Sequence, residues 1–185
     1  MTTIPFDDPR WKASPAPNTP LSITKDKLVL KANKGTDWWR NQERNSTDGV
    51  VYGFEVDVSK GIEVSVELDI HHKDRYDQAT LFLQLGPTTW VKAGLEFDGQ
   101  LLSGAVVTFP YSDWAIRAHP GGPQRYTIRY KDRKLLVFED DLMVREVNVF
   151  GEHTDVKALV GVMGCSPLGE GAEGVYRGFT LKTGM

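Results

Sequence analysis

The chain has 185 residues, 40% of them hydrophobic and 25% charged, which is enough to bury one sizeable core and ordinary for a globular protein. Its net charge of -3 and its scattered lysines and arginines argue against a nucleic-acid or anionic-membrane partner. The single cysteine, Cys165, cannot close an internal disulfide, no stretch approaches the roughly 20 apolar residues of a membrane span, and the start has no apolar signal core, so a reducing, cytoplasmic setting is expected.

In chain order, residues 1–20 read as an extended arm, because Pro5 to Pro20 carries five prolines among polar residues. Residues 21–185 read as a single domain. Lys27 to Ala32 is a short strand, and Val50 to Val58 another, introduced by Asp48-Gly49. Gly61 to His71 alternates strictly, with Ile62, Val64, Val66, Leu68 and Ile70 against Glu63, Ser65, Glu67, Asp69 and His71. Gln78 to Leu85 and Trp90 to Phe97 flank the turn at Gly86-Pro87, and Asp98-Gly99 signals a hairpin into Leu101 to Phe109. Arg125 to Lys131 and Leu135 to Glu139 form a second hairpin, and Ala158 to Met163 and Val175 to Leu181 close the series. Between those last two strands, Gly164 to Gly174 reads as a long irregular loop. No window carries a capped helical stripe, so the fold class is all-β, a sandwich or barrel.

Six local patterns occur in order. They are Thr36-Asp37-Trp38-Trp39-Arg40, Asp48-Gly49 before a Tyr-x-Phe-Glu-Val strand, Tyr76-Asp77-Gln78-Ala79, Trp90 to Phe97, Ser112-Asp113-Trp114, and Gly164-Cys165-Ser166-Pro167 with Gly169-Glu170-Gly171. The series, from about Leu21 to Leu181, resembles the domain-of-unknown-function 1349 family. The resemblance implies a concanavalin A-like jelly roll of two antiparallel sheets, one concave and one convex. It supplies no agreed catalytic residues. A fungal member is named for regulation of enolase, which keeps a protein partner open.

The site is therefore argued from strand period. In Trp90 to Phe97, Val91, Ala93, Leu95 and Phe97 face a core, while Trp90, Lys92, Gly94 and Glu96 face the other way. Gln78 shares that second face. Lys92 and Glu96 lie roughly 13 Å apart along the strand, so they are two stations in a groove, not an ion pair. Arg40 is a candidate partner for Glu96, and Asp77 for Lys92. Of Trp38 and Trp39, adjacent in an extended strand, one enters the core and the other is free to stack on a ligand. Trp114 sits in a loop-like stretch. The glycine-rich loop presents Ser166 and Glu170. The expected ligand-binding set is thus Trp38, Trp39, Arg40, Gln78, Lys92, Glu96, Trp114, Ser166 and Glu170, on the concave face, with no metal and no cofactor.

Three sharper motifs are weaker. Glu67-Leu68-Asp69-Ile70 begins like a laminarinase-type glucanase motif, but His71-His72 stands where the acid/base glutamate is required. His71 and His72 point apart on a strand and lack a spaced third ligand. Cys165 has no histidine placed to activate it. The leading expectation is a non-catalytic binding module for a small, carbohydrate-like ligand or a partner protein. The alternative is a cofactor-free hydrolase, lyase, isomerase or cyclase using Lys92, Glu96 and Asp77.

Overall fold

The computed structural model describes residues 1–15, 20–148 and 156–185, and among these there is no helix. The strands are β1 (Thr2–Thr3), β2 (Lys12–Ser14), β3 (Ser22–Ile23), β4 (Lys27–Lys31), β5 (Trp38–Arg40), β6 (Asn45–Thr47), β7 (Val50–Asp57), β8 (Ile62–His71), β9 (Gln78–Gly86), β10 (Thr89–Phe97), β11 (Leu101–Thr108), β12 (Ser112–Ala118), β13 (Gln124–Lys131), β14 (Lys134–Glu139), β15 (Leu142–Val147), β16 (Lys157–Cys165) and β17 (Glu173–Thr183). One sheet runs β15-β14-β13-β8-β17-β4-β3, with β1 also on β17; the other runs β12-β11-β10-β9-β16-β7-β2. All their pairings are antiparallel. The protein is a jelly-roll sandwich of two antiparallel sheets.

The inner faces follow the period-2 pattern. Ile62, Val64, Val66, Leu68 and Ile70 of β8 meet Val91, Ala93 and Leu95 of β10 in the inter-sheet core. Phe97 departs from its expected place. It is half-buried at the strand end, where its ring stacks on His72 at 4.1 Å. A shift of register by one would instead put Lys92 between the sheets, at a cost of several kcal/mol.

Two other readings change. The described part of the segment 1–20 lies against the sandwich: β1 and β2 extend the sheets, and Ile4, Phe6 and Trp11 belong to the core. Trp11 stacks on Tyr52 at 5.3 Å and donates its indole N–H to the Pro5 carbonyl at 2.8 Å. Apolar anchors outweigh the prolines there; residues 16–19 of the expected arm lie outside the described residues. The stretch around Trp114 is not a loop but edge strand β12, paired with β11 from Leu102↔Ala118 to Thr108↔Ser112. It is exposed along most of its length and its apolar residues Trp114, Ala115 and Ile116 run consecutively, so no buried face imposes a strand period.

A third element is a small hairpin, β5-β6, separate from both sheets. Asn41 builds its turn, its Oδ1 accepting from the N–H groups of Glu43 (2.9 Å) and Arg44 (2.7 Å). The hairpin's base is clamped where the Asp37 N–H donates to Asp48 Oδ1 (2.9 Å) and the Asp37 carbonyl accepts from Asp48 and Gly49. The hairpin lies over the outer face of the seven-stranded sheet and closes a second, smaller core there: Trp38, Val51, Phe82, Trp90, Met163 and Cys165. Gly49 is required for this closure, because a Cβ there would lie 2.4 Å from Cys165 Sγ and 2.7 Å from the Trp38 ring.

Candidate functional site

Beside that second core is a pocket of about 370 Å³. Gln78, Lys92, Glu96, Val106 and Trp114 come from the sheet; Asp37, Trp39, Asn41, Glu43 and Arg44 come from the hairpin and its flanks; Tyr76, Pro167 and Leu168 come from two loops. It thus has aromatic walls around a floor that carries an amide, an ammonium and a carboxylate.

The floor is a connected polar chain. Lys92 is only 3% exposed. Its Nζ donates to Asp37 Oδ1 at 2.9 Å and to Gln78 Oε1 at 2.7 Å. Gln78 Nε2 reaches Glu96 Oε1 at 3.5 Å, because Gln78 and Glu96 are directly paired across β9 and β10. Gln78 therefore joins the two stations that strand spacing separates. The partner of Lys92 is Asp37, not Asp77, since the hairpin delivers Asp37 from above. Arg44 adds a second cation, its guanidinium 3.5 Å from Asp37 Oδ2.

These contacts set the charges. Burial works most strongly against the Lys92 ammonium, but the Asp37 carboxylate and the other acidic groups around it together outweigh that cost and hold the group above the ordinary lysine value. Glu96 is pushed up to about 7: burial raises it, and the neighbouring Asp37 and Asp98 carboxylates add to that, against the opposing pull of Lys92 and of a hydrogen bond with Trp114. The floor therefore combines a fixed cation with a carboxyl that is part protonated at neutral pH.

The loops are held from behind. Asp77 is fully buried and accepts from Ser166 Oγ at 2.6 Å and from the N–H groups of Lys73 and Asp74 at 2.8 Å each. It ties two loops together and does not line the pocket. Those ties bring Tyr76 to the rim with φ of 67°, a left-handed value uncommon for a bulky residue and held by its N–H bond to the Phe97 carbonyl at 2.5 Å. The Tyr76 ring meets Trp114 edge-on, with centroids 6.5 Å apart.

Of the residues expected from the sequence, the structure brings Trp39, Gln78, Lys92, Glu96 and Trp114 together. Five do not reach the pocket wall. Trp38 is buried behind it, donating its indole N–H to the Gly49 carbonyl at 3.0 Å. Arg40 does not meet Glu96; its backbone N–H donates to Ser112 Oγ at 2.9 Å and pins the hairpin to β12. Ser166 is buried under the loop, on Asp77, and also accepts from the Gly171 N–H at 3.1 Å. Glu170 points to solvent and pairs with Lys34. Asp77 anchors, as described. The irregular loop is shorter than expected, since Gly164 and Cys165 belong to β16 and Glu173 and Gly174 to β17. Missed by sequence reasoning were Tyr76, Val106, Pro167 and Leu168 on the sheet and loops, and Asp37, Asn41, Glu43 and Arg44 on the hairpin and its flanks. The signal for the latter was the Asn41–Arg44 turn between Trp38-Trp39-Arg40 and Asn45-Ser46-Thr47, which marks a hairpin.

The fold and the site define a jelly-roll sandwich with a hairpin-walled pocket on one sheet. The chain belongs to the family described as Protein of unknown function (DUF1349), whose profile matches residues 11–183. It is 26% identical over 157 residues to Regulation of enolase protein 1 of Saccharomyces cerevisiae, spanning 81% of this chain and 79% of that one. A solved structure of a functionally unknown protein from the same yeast superposes with a TM-score of 0.79 at 23% identity, covering 95% of this chain and 97% of that chain. A mutant of the GH43 protein BlXynB from Bacillus licheniformis gives 0.74 at 13% identity, covering 98% of this chain but 39% of that chain. Among the described residues no helix is long and apolar enough to cross a membrane.

Proposed function

We propose that this protein is a binding module that holds a small, neutral, hydroxyl-rich ligand, carbohydrate-like in character, in the hairpin-walled pocket. One observation carries the reading: Trp39, Tyr76 and Trp114 surround a floor of Gln78, Lys92 and Glu96. Sugar rings offer apolar faces to indoles and hydroxyls to amides, ammonium groups and carboxyls. The cations Lys92 and Arg44 stand against Asp37, Glu43 and a partly protonated Glu96, so the pocket favours no strongly charged ligand. The sandwich is shared with a protein named as GH43, which is in keeping with a sugar ligand. The name of the yeast relative raises a regulatory role, in which a protein partner would read the occupied pocket.

The test is titration calorimetry with D-glucose, D-xylose, D-galactose and their methyl glycosides, on the parent and on Trp39→Ala and Glu96→Gln. Loss of a charged contact costs about 1.5–3 kcal/mol, roughly ten- to a hundredfold in affinity. Binding that neither substitution weakens would remove the pocket from consideration.

A second reading has its own support. A carboxyl near 7 beside a fixed ammonium suits proton transfer at neutral pH, with Glu96 as acid or base and Lys92 stabilising a developing oxyanion. On that reading the protein is a cofactor-free enzyme acting on a similar small molecule. Turnover of any pocket ligand that Glu96→Gln abolishes without loss of binding would select it.

A further inference from the structure

The outer face of the seven-stranded sheet has a gap in its side-chain lattice. Thr80 of β9 pairs with Gly94 of β10, and Gly94 pairs with Gly104 of β11. Directly paired residues share a face, so this row carries one hydroxyl followed by two positions without side chains. The neighbouring rows are filled, by Gln78 and Glu96 on one side and by Lys92, Val106 and Trp114 on the other. A narrow well of about 10 Å³ results, and it shares Gln78, Lys92, Glu96, Val106 and Trp114 with the main pocket.

The gap is fixed by the backbone. A Cβ on Gly94 would stand 2.2 Å from the Ala79 carbonyl oxygen, and one on Gly104 would stand 2.4 Å from that of Ala115. Neither position accepts a side chain without moving a strand. Thr80, which lines this well, is 5% exposed, and its Oγ1 has no hydrogen-bond partner among the described residues. A buried hydroxyl left unpaired is costly, and valine would fill the same shape without that cost. The volume admits roughly one water-sized oxygen.

We propose that this well is a subsite for a single hydroxyl group of the pocket's ligand, bonded between Thr80 Oγ1 and the Glu96 carboxyl, and that a water takes the same place in the free protein. The proposal rests on the reading of the pocket as a polyol site and adds its specificity. A hydroxyl both donates and accepts, so it satisfies Thr80 whichever proton Glu96 holds. A methoxy or acetamido group at the same ring position is too large to enter. Recognition therefore falls on one unsubstituted hydroxyl of the ring.

The experiment has two arms. In the first, high-resolution crystal structures of the free parent and of Thr80→Val are compared, together with carbon-13 titration of the Glu96 carboxyl in both. The expected result is an ordered water within hydrogen-bond distance of Thr80 Oγ1 and a Glu96 oxygen, its loss in Thr80→Val, and a shift of the Glu96 midpoint. A dry well in the parent, with the same Glu96 midpoint and an equal or higher melting temperature in Thr80→Val, overturns the proposal. In the second arm, D-glucose and D-xylose are compared with their monodeoxy and mono-O-methyl derivatives. One ring position should lose tenfold or more on either change, and Thr80→Val should bind the parent sugar and that deoxy derivative alike. Discrimination that survives Thr80→Val also overturns it. A water in the well with no binding of any of these sugars counts against the polyol reading alone, and the oxygen site stands.

Discussion

The outer faces of the two sheets carry similar residue types and behave differently. On the eight-stranded sheet, Glu63 pairs with Arg129, and Lys134 with Glu146 at 2.8 Å, all near water. On the seven-stranded sheet, Lys92, Asp37 and Gln78 form a buried chain, flanked by fully buried Trp90 and Phe82. The difference is a cover: the β5-β6 hairpin lies over one face, and among the described residues no such hairpin lies over the other. Strand alternation reports which residues share a face, not whether that face is wet. A lysine on a polar face is therefore a surface group in one case and the centre of a site in the other.

The sharpest way to break this contrast is to remove the buried ammonium. Lys92→Met leaves Asp37 buried, with Arg44, 3.5 Å away, as its one remaining ion-pair partner among the described residues. The expected cost is about 3–5 kcal/mol of unfolding free energy by urea denaturation. Adding Asp37→Asn to that variant should recover part of the loss, because the stranded charge is gone. A loss under about 1 kcal/mol for Lys92→Met alone would mean that the hairpin does not seal the face.

The main strands and the register of β10 were legible because a two-sided alternation leaves no other solution: Val91, Ala93 and Leu95 cannot exchange places with Lys92 without burying its charge between the sheets. The face shared by Gln78, Lys92 and Glu96 was legible for the same reason. What lay beyond reach was set by non-local contacts. Asp37 lies 55 residues from Lys92 in sequence, and nothing in its own segment says that the hairpin folds over β10. Edge strand β12 was hidden because an exposed edge has no apolar rhythm. Ser166 and Asp77 read as available polar groups, yet each satisfies the other, and only the closed loop shows it.

The next effect is a pH dependence confined to the covered face. The Glu96 carboxyl rises from 4.5 to about 7 on folding, chiefly through burial. A raised carboxyl is favoured in its neutral form, so its contribution is fully present below about pH 4.5 and is lost as pH rises through 7. The unfolding free energy should fall across that window by about 2–3 kcal/mol relative to Glu96→Gln, which has no proton to lose. Parallel stability profiles for the two proteins from pH 5 to 8 would show that Glu96 is ordinary.

A smaller effect separates the two adjacent indoles. Trp38 is part of the second core, whereas Trp39 is half-buried on the pocket wall. Trp39→Ala should cost less than about 1 kcal/mol in stability while weakening any sugar that binds by roughly tenfold. A large loss of stability with unchanged binding would reverse the assignment of the two rings.

The smallest effect is expected on the uncovered face, at the carboxylates that begin like a glucanase motif. Glu67 and Asp69 lie on β8, in the sheet that contributes nothing to the hairpin-walled pocket. Glu67 is paired in register with Arg125 and Arg177 on its two neighbouring strands, a half-buried position with cations on both sides. Asp69 Oδ1 accepts from the Ile70 N–H at 2.8 Å. Retaining hydrolysis needs a second carboxyl roughly 5–5.5 Å from the first, across a bound sugar. The next outward position after Asp69 on that face is His71, whose ring lies 3.7 Å from the Glu173 carboxylate near solvent. Glu67→Gln should therefore change stability by no more than about 0.5 kcal/mol and leave binding in the pocket untouched. Loss of any activity on β-1,3-glucan or xylan in Glu67→Gln, with the fold intact by circular dichroism, would move the site to the other sheet. The covered face would then be structural, and the contrast between the faces would run the opposite way.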